Sequence, residues 1–313
     1  MRGAMSHRKR PDTSDAALVA GVAQRAAGLL RGGVPAARVW RVLGEEAGAP
    51  DECVAIAAQI TRGESAARAL AAVGTPAWRL LAAAWQLAEQ SGAPLALALQ
   101  RFGTALGELQ RVADRRAVLL AGPRATIRLV TALPLLALLL GVVLGFDPVG
   151  VLMSSLGLVL ASVGGLLLAA GMWWARAMID TLANADWVAG FEFELCWIAL
   201  AGGATPGPAF RSVADSVDLV NANWVRLGAL RRDGPVRQAL GAAAAIGTPA
   251  GQVLLAEAEG ARSKTLTELE QRAERLGVRV LAPLALCVLP SFVVLGVMPV
   301  LIAVLGTLAA DVS

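Results

Sequence analysis

Residues 129–146 read LVTALPLLALLLGVVLGF, and after the single acidic residue Asp147, residues 148–175 read PVGVLMSSLGLVLASVGGLLLAAGMWWA. Neither run carries a charge. A helix needs roughly 20 apolar residues to cross the hydrocarbon core, so each run reads as a membrane span. The Asp147-Pro148 pair between them leaves room only for a tight helical hairpin. The second run is longer than the hydrocarbon requires, so its helix is expected to tilt or project into water. A third uncharged run, from Val280 to Ala310, holds Pro283, Pro290 and Pro299.

The rest of the sequence agrees with this frame. Of 313 residues, 56% are hydrophobic and 17% charged, too apolar a balance for an ordinary soluble globule. Arg111, Arg115, Arg116, Arg124 and Arg128 precede the first span, and Arg176 follows the second. Arg262, Lys264, Arg272, Arg275 and Arg279 precede the third. The hairpin tip and the tail after the third span hold only Asp147 and Asp311. Positive charge near span ends stays on the cytoplasmic side, so both large polar regions are expected in the cytoplasm and the C-terminus outside. Asp12 and Asp15 interrupt the basic start and Gln24 and Arg25 break the apolar stretch after it, a poor pattern for a cleaved signal peptide.

Both polar regions are rich in Ala, Leu, Arg and Glu at helical spacing, with Gly and Pro as punctuation and no sustained alternation. The fold class is therefore an all-α integral membrane protein, with two duplicated cytoplasmic helical-bundle domains and three transmembrane helices. The expected boundaries are a basic tail at 1–14, a first helical domain at 15–122, spans at 123–146 and 147–175, a second helical domain at 176–277, a third span at 278–308 and an external tail at 309–313. The duplication rests on short matches in the same order: Gly-Gly at Gly32 and Gly202, Gly-Thr-Pro-Ala at Gly74 and Gly247, and Glu-x-x-Gly at Glu89 and Glu257. A long helix then passes through arginines into a proline-bearing span in each copy. Each Glu-x-x-Gly is expected to end a helix in a left-handed cap at Gly92 or Gly260.

Whole classes of chemistry are excluded. The single histidine, His7, lies in the tail, so no imidazole triad or histidine zinc site exists in the folded chain. Cys53, Cys196 and Cys287 form no metal or redox spacing and read as reduced, mostly buried residues. Ser263-Lys264-Thr265 imitates the end of a P-loop but lacks its glycines and a preceding strand. Glu192 and Glu194, two apart on a helix, point to different faces and read as solvated or capping residues. No catalytic, cofactor or metal site is expected. Gly141-x-x-x-Gly145 and Ala161-x-x-x-Gly165 read as close-packing faces of the first two spans. The uncharged runs 129–146, 148–175 and 280–310 place no charge at membrane depth, which argues against the alternative of a membrane transport or export permease, because such proteins need a polar path.

The sequence WQLAEQSGAPLALALQRFG from Trp85, the arginine-rich helix into RLVTALPLLALLLG, and the C-terminal LEQRAERLGVRVLAPLALCVLPSFVVLGVMPV together resemble the type II secretion system F family over most of Ala16 to Thr307. These are inner-membrane platform proteins of type II secretion systems, type IV pili and Tad/Flp pili. The resemblance implies a non-enzymatic protein of the bacterial cytoplasmic membrane. It would lie beneath a growing pilus or pseudopilus and couple a hexameric secretion ATPase to pilin or pseudopilin subunits, as a homo-oligomer or paired with a paralogous platform protein, with no nucleic acid. The expected partner-facing residues are Glu89, Gly92, Leu95, Glu257 and Gly260, with Arg115 and Arg116 placed to attract acidic membrane lipid or an acidic partner. The first domain is expected to meet the ATPase. The second copy departs from the first in carrying Ser263 where the first has Leu95.

Overall fold

The computed structural model describes residues 15–145, 148–183, 189–222, 224–302 and 304–305. The tail with His7, the hairpin residue Asp147 and the end with Asp311 lie outside the described residues. Among those residues the protein is all-helical, and three helices are long and apolar enough to cross a membrane: Leu95–Val143, Gly157–Thr181 and Ala250–Ile302. The chain divides into two compact units. The first holds the described residues 15–114 and 189–266, the second 115–183 and 267–305.

The first unit is built from α1 (Ala16–Arg31), α2 (Ala36–Glu45), α3 (Asp51–Thr61), α4 (Ala66–Ala72) and α5 (Pro76–Ser91), with the start of α6 (Leu95–Val143). Residues α7 (Pro148–Met153) and α8 (Ser155–Ala183) belong to the other unit; α9 (Phe191–Ala201), α10 (Pro206–Leu219), α11 (Pro235–Ile246) and the start of α12 (Ala250–Arg279) complete this one. Two helices are buried nearly all round, as central helices must be. α5 buries ten side chains, including Trp78 and Trp85, and α9 buries every residue from Phe191 to Ala199. They pack on each other, so both polar regions of the sequence contribute to one core. Trp40 lies 5.3 Å from Trp85 and Phe102 lies 5.2 Å from Phe191, ring to ring. Arg79 of α5 donates to the Asn221 carbonyl at 3.3 Å and lies over Trp224, a further tie between the two regions.

The punctuation behaves locally as its residues dictate. Gly33 and Gly203 turn the chain with φ of 90° and 88°, and Gly74 and Gly247 do so with 89° and 70°. Thr75 with Pro76 opens α5, and Ser65 caps α4 by accepting from the Arg68 N–H. Asp51 is the first residue of α3, with Pro50 in the cap position.

The second unit turns its large side chains outward: Leu129, Leu135, Val143, Leu166 and Leu286 are all exposed. The long second apolar run is divided rather than continuous. At Ser154 the hydroxyl donates to the Val151 carbonyl and accepts from the Gly157 N–H, separating α7 from α8. In the third apolar segment, α13 (Leu281–Pro283) and α14 (Leu289–Phe292) alternate with π-helical turns at Leu284–Val288 and Val293–Val297. Pro283 and Pro290 remove backbone donors here, and wider turns are one way for a helix to carry on past the missing bonds.

Close helix packing in this unit falls at glycines other than those expected. A Cβ on Gly164 would lie 2.5 Å from Leu295 Cγ, and one on Gly171 would lie 2.8 Å from Cys287 Cβ. The buried Ser291 hydroxyl donates to the Gly164 carbonyl at 2.8 Å. Gly145, by contrast, lies beyond the end of α6 with a φ of 87° and is exposed, so Gly141 and Gly145 do not form one helix face. Gly141 is buried, and Ala161 and Gly165 are half-buried with open space around the Gly165 Cβ position.

Candidate functional site

The most concentrated electrostatics in the first unit lie where α6, α9 and α12 meet. α9 reads FEFELCWIALA and offers no polar face apart from its two carboxylates, so its central position takes Glu192 and Glu194 inside with it, 6% and 4% exposed. The solvated or capping role expected for the pair is therefore corrected. Arg262 of α12 donates from Nη2 to Glu194 at 3.2 Å and lies with Nε 2.5 Å from a Glu108 carboxylate oxygen of α6. Gly190, which opens α9 at a φ of 89°, lets this happen: a Cβ there would lie 2.7 Å from the Ala258 carbonyl and 3.2 Å from Arg262 Nη1.

Burial pushes the Glu194 carboxyl above the usual carboxylate range, and Arg262 pulls the other way. Burial likewise raises Glu192, with weaker relief from hydrogen bonds at the helix start and from Arg226 and Arg262. One Glu192 carboxylate oxygen meets no hydrogen-bond donor among the described residues. Beside the cluster lies a cleft of about 230 Å³, which Arg101, Thr104, Glu108, Glu194, Glu259 and Arg262 help to line.

This arrangement joins helices; it holds no nucleophile with an adjacent base. Burial pushes the Cys53 thiol up to about 11 and the Cys196 thiol up to about 12, so both stay protonated near neutral pH. Among the described residues no group of three or more His, Cys, Asp or Glu could hold a metal ion. Ser263-Lys264-Thr265 lies in the interior of α12, where backbone N–H groups are committed to the helix and cannot cradle a phosphate.

The residues expected to face partners fall in three places. Glu89 is exposed in the last turn of α5, Gly92 caps that helix at a φ of 73°, and the half-buried Leu95 starts α6, so these three form one turn. Glu257 and Gly260 are exposed on α12, which runs on uninterrupted to Arg279. The helix end expected at Gly260 is thus corrected. Pro94 follows Gly92 and forces a new start, whereas Ala261-Arg262-Ser263-Lys264 lets the second helix continue. Arg115 and Arg116 belong to the second unit, where the exposed Arg115 pairs with Glu270 at 3.0 Å and Arg116 is half-buried.

Missed from the sequence alone were Glu108 and Arg262. The signal available was α9 itself: two carboxylates in a helix otherwise apolar on every side need a buried cation, and α12 supplies it.

Residues 22–143 match the family model described as type II secretion system (T2SS), protein F, from within α1 to the end of α6. This match agrees with the resemblance carried by the sequence. Comparison with curated proteins and with solved structures yields no match.

Proposed function

We propose that this chain, whose residues 22–143 are a type II secretion protein F domain, is a non-enzymatic platform protein of the bacterial inner membrane that serves a type II secretion pseudopilus or a Tad/Flp-type pilus. The observation that carries the reading is that the family match runs through the helices of the first unit and along α6 into a candidate span. Bundle and membrane helix are thus one continuous piece of chain, as a part that passes motion across a membrane needs. On this reading the arginines before each span hold both polar regions in the cytoplasm. A hexameric secretion ATPase engages the exposed turn of Glu89, Gly92 and Leu95, and pilin or pseudopilin subunits meet the spans. The matched left-handed glycines at Gly33 and Gly203, and at Gly74 and Gly247, support an ancestral duplication behind the two polar regions.

The two regions share one core, so a fragment ending at residue 122 would expose the faces of α5 that α9 and α10 cover. The test therefore uses the full chain, tagged and isolated from native membranes with the ATPase of its own operon. Wild type should retain the ATPase, Glu89→Arg should release it, and Glu257→Arg should not. Release only by Glu257→Arg would reverse the assignment of the contact. No retention by wild type would remove the platform reading.

A further inference from the structure

We infer that the second unit carries a binding site for the phosphate headgroup of an anionic phospholipid, in a cleft between α8 and α12. The cleft measures about 290 Å³ and is lined by Met178, Thr181, Arg272, Arg275, Leu276 and Arg279. On α12 the three arginines fall at i, i+3 and i+7, the spacing that puts side chains on one helix face. Arg272 shares its charge with Glu268 at 3.0 Å. Arg275 and Arg279 form no ion pair with a carboxylate among the described residues and keep their full charge for a ligand. A guanidinium offers two parallel donors that match two oxygens of a phosphodiester.

The surroundings select a lipid as the source of that phosphate. Arg279 is followed directly by the uncharged run from Val280, and the neighbouring Val278, Leu281 and Leu286 are 71%, 55% and 65% exposed. On α8, Trp173 is 75% exposed, five residues before Met178. A tryptophan exposed at the end of an apolar run marks the interfacial level of a bilayer. A headgroup held by the arginines therefore has apolar side chains beside it along which acyl chains lie, which a free phosphate would leave unused. Basic pockets at helix ends on the cytoplasmic side take anionic headgroups for the same reason.

The inference requires only that the apolar helices sit in a membrane. It stands whether or not the ATPase binds, so failure of one reading is distinguishable from failure of the other. The test places the full chain in phosphatidylcholine nanodiscs and titrates in labelled cardiolipin. Saturable retention is expected, with Arg275→Gln/Arg279→Gln weakening it roughly 30-fold, about fivefold for each charge removed at the surface. Arg62→Gln/Arg111→Gln, which removes two charges from the first unit, should leave it unchanged, and Arg275→Lys/Arg279→Lys, which keeps the charge but loses the paired donors, should weaken it by less than the glutamine pair. Equal weakening by both glutamine pairs would reduce the effect to general surface charge and overturn the site. Displacement of cardiolipin by millimolar inorganic phosphate would show a free-anion site and overturn the lipid assignment.

Discussion

The two units use the same helical alphabet in opposite senses. Trp40, Trp78 and Trp85 in the first unit are 1% exposed or less, whereas Trp173 in the second is 75% exposed, and Leu166 and Leu158 of the same helix are turned outward as well. Apolar area in water costs about 25 cal/mol per Å², so a surface of that kind calls for an apolar cover, lipid or another membrane helix. The contrast extends to charge. The first unit buries the Glu194–Arg262 pair among three helices beside exposed pairs such as Arg25–Glu46, while the second keeps Arg115 and Glu270 at the surface. Burial makes an ion pair consequential, because removing one partner strands the other without solvent.

The largest effect should come from Arg262→Leu, which leaves the buried Glu194 without its ion-pair partner and beside Glu108. Loss of a buried partner costs about 3–5 kcal/mol, so the tryptophan-monitored unfolding midpoint of the first unit should fall sharply. Arg115→Leu should move stability by about 1 kcal/mol or less, as exposed pairs do. Equal losses would erase the distinction between the units.

Next comes packing in the membrane unit. Gly164→Leu places a side chain where Leu295 already lies, and overpacking of this kind costs about 1–3 kcal/mol. Gly165→Leu, one position along, has open space and should be nearly neutral in reconstituted protein assayed by resistance to denaturing detergent. A larger loss at Gly165 would return the contact to the face predicted from four-residue spacing.

A smaller pair of changes separates the two copies of Glu-x-x-Gly. Gly92→Ala forces an alanine into the left-handed region and should cost about 1 kcal/mol. Gly260→Ala replaces a glycine in an exposed helix interior with clear space around it and should stabilise by about 0.5–1 kcal/mol. Both are read by thermal unfolding, and effects of the same sign would mean that the two turns share one conformation.

The smallest expected effect is a slope against pH. Burial raises the folded Glu192 carboxyl above its unfolded value, so the native state binds more protons between the two values. Stability from this group is complete below the ordinary carboxylate range and is lost as pH rises through the raised folded value. Glu192→Gln should flatten that fall across the mildly acidic range in a series of chemical denaturation curves. An unchanged slope would mean that Glu192 titrates normally.

Much of this was legible in the sequence because it depends on runs and punctuation. Charge-free stretches pointed to the three helices that are long and apolar enough to cross a membrane, and the residues after each Glu-x-x-Gly decide its fate: Pro94, two positions after Gly92, starts a new helix, and no proline follows Gly260 at that distance. The break at Ser154 was not legible, since it rests on one hydroxyl bridging Val151 and Gly157, without proline to announce it. Gly164 and Gly171 are not paired by a four-residue spacing of small residues, because the α8 contact recurs at seven. The Glu194–Arg262–Glu108 cluster lay hidden for another reason. Spacing on an isolated helix says which way a carboxylate points, but only the neighbours of α9 determine that every direction is inside.

If the first unit lies in the cytoplasm and the chain crosses the membrane three times, the most direct measurement is reporter topology in intact cells. A reporter active only outside the cytoplasm, fused after Asp147 or after Ser313, should give signal. The same reporter fused after Gly107 or after Leu240 should give none. Activity from the Gly107 fusion would place the first unit on the wrong side of the membrane for a cytoplasmic ATPase and contradict the platform reading at its base.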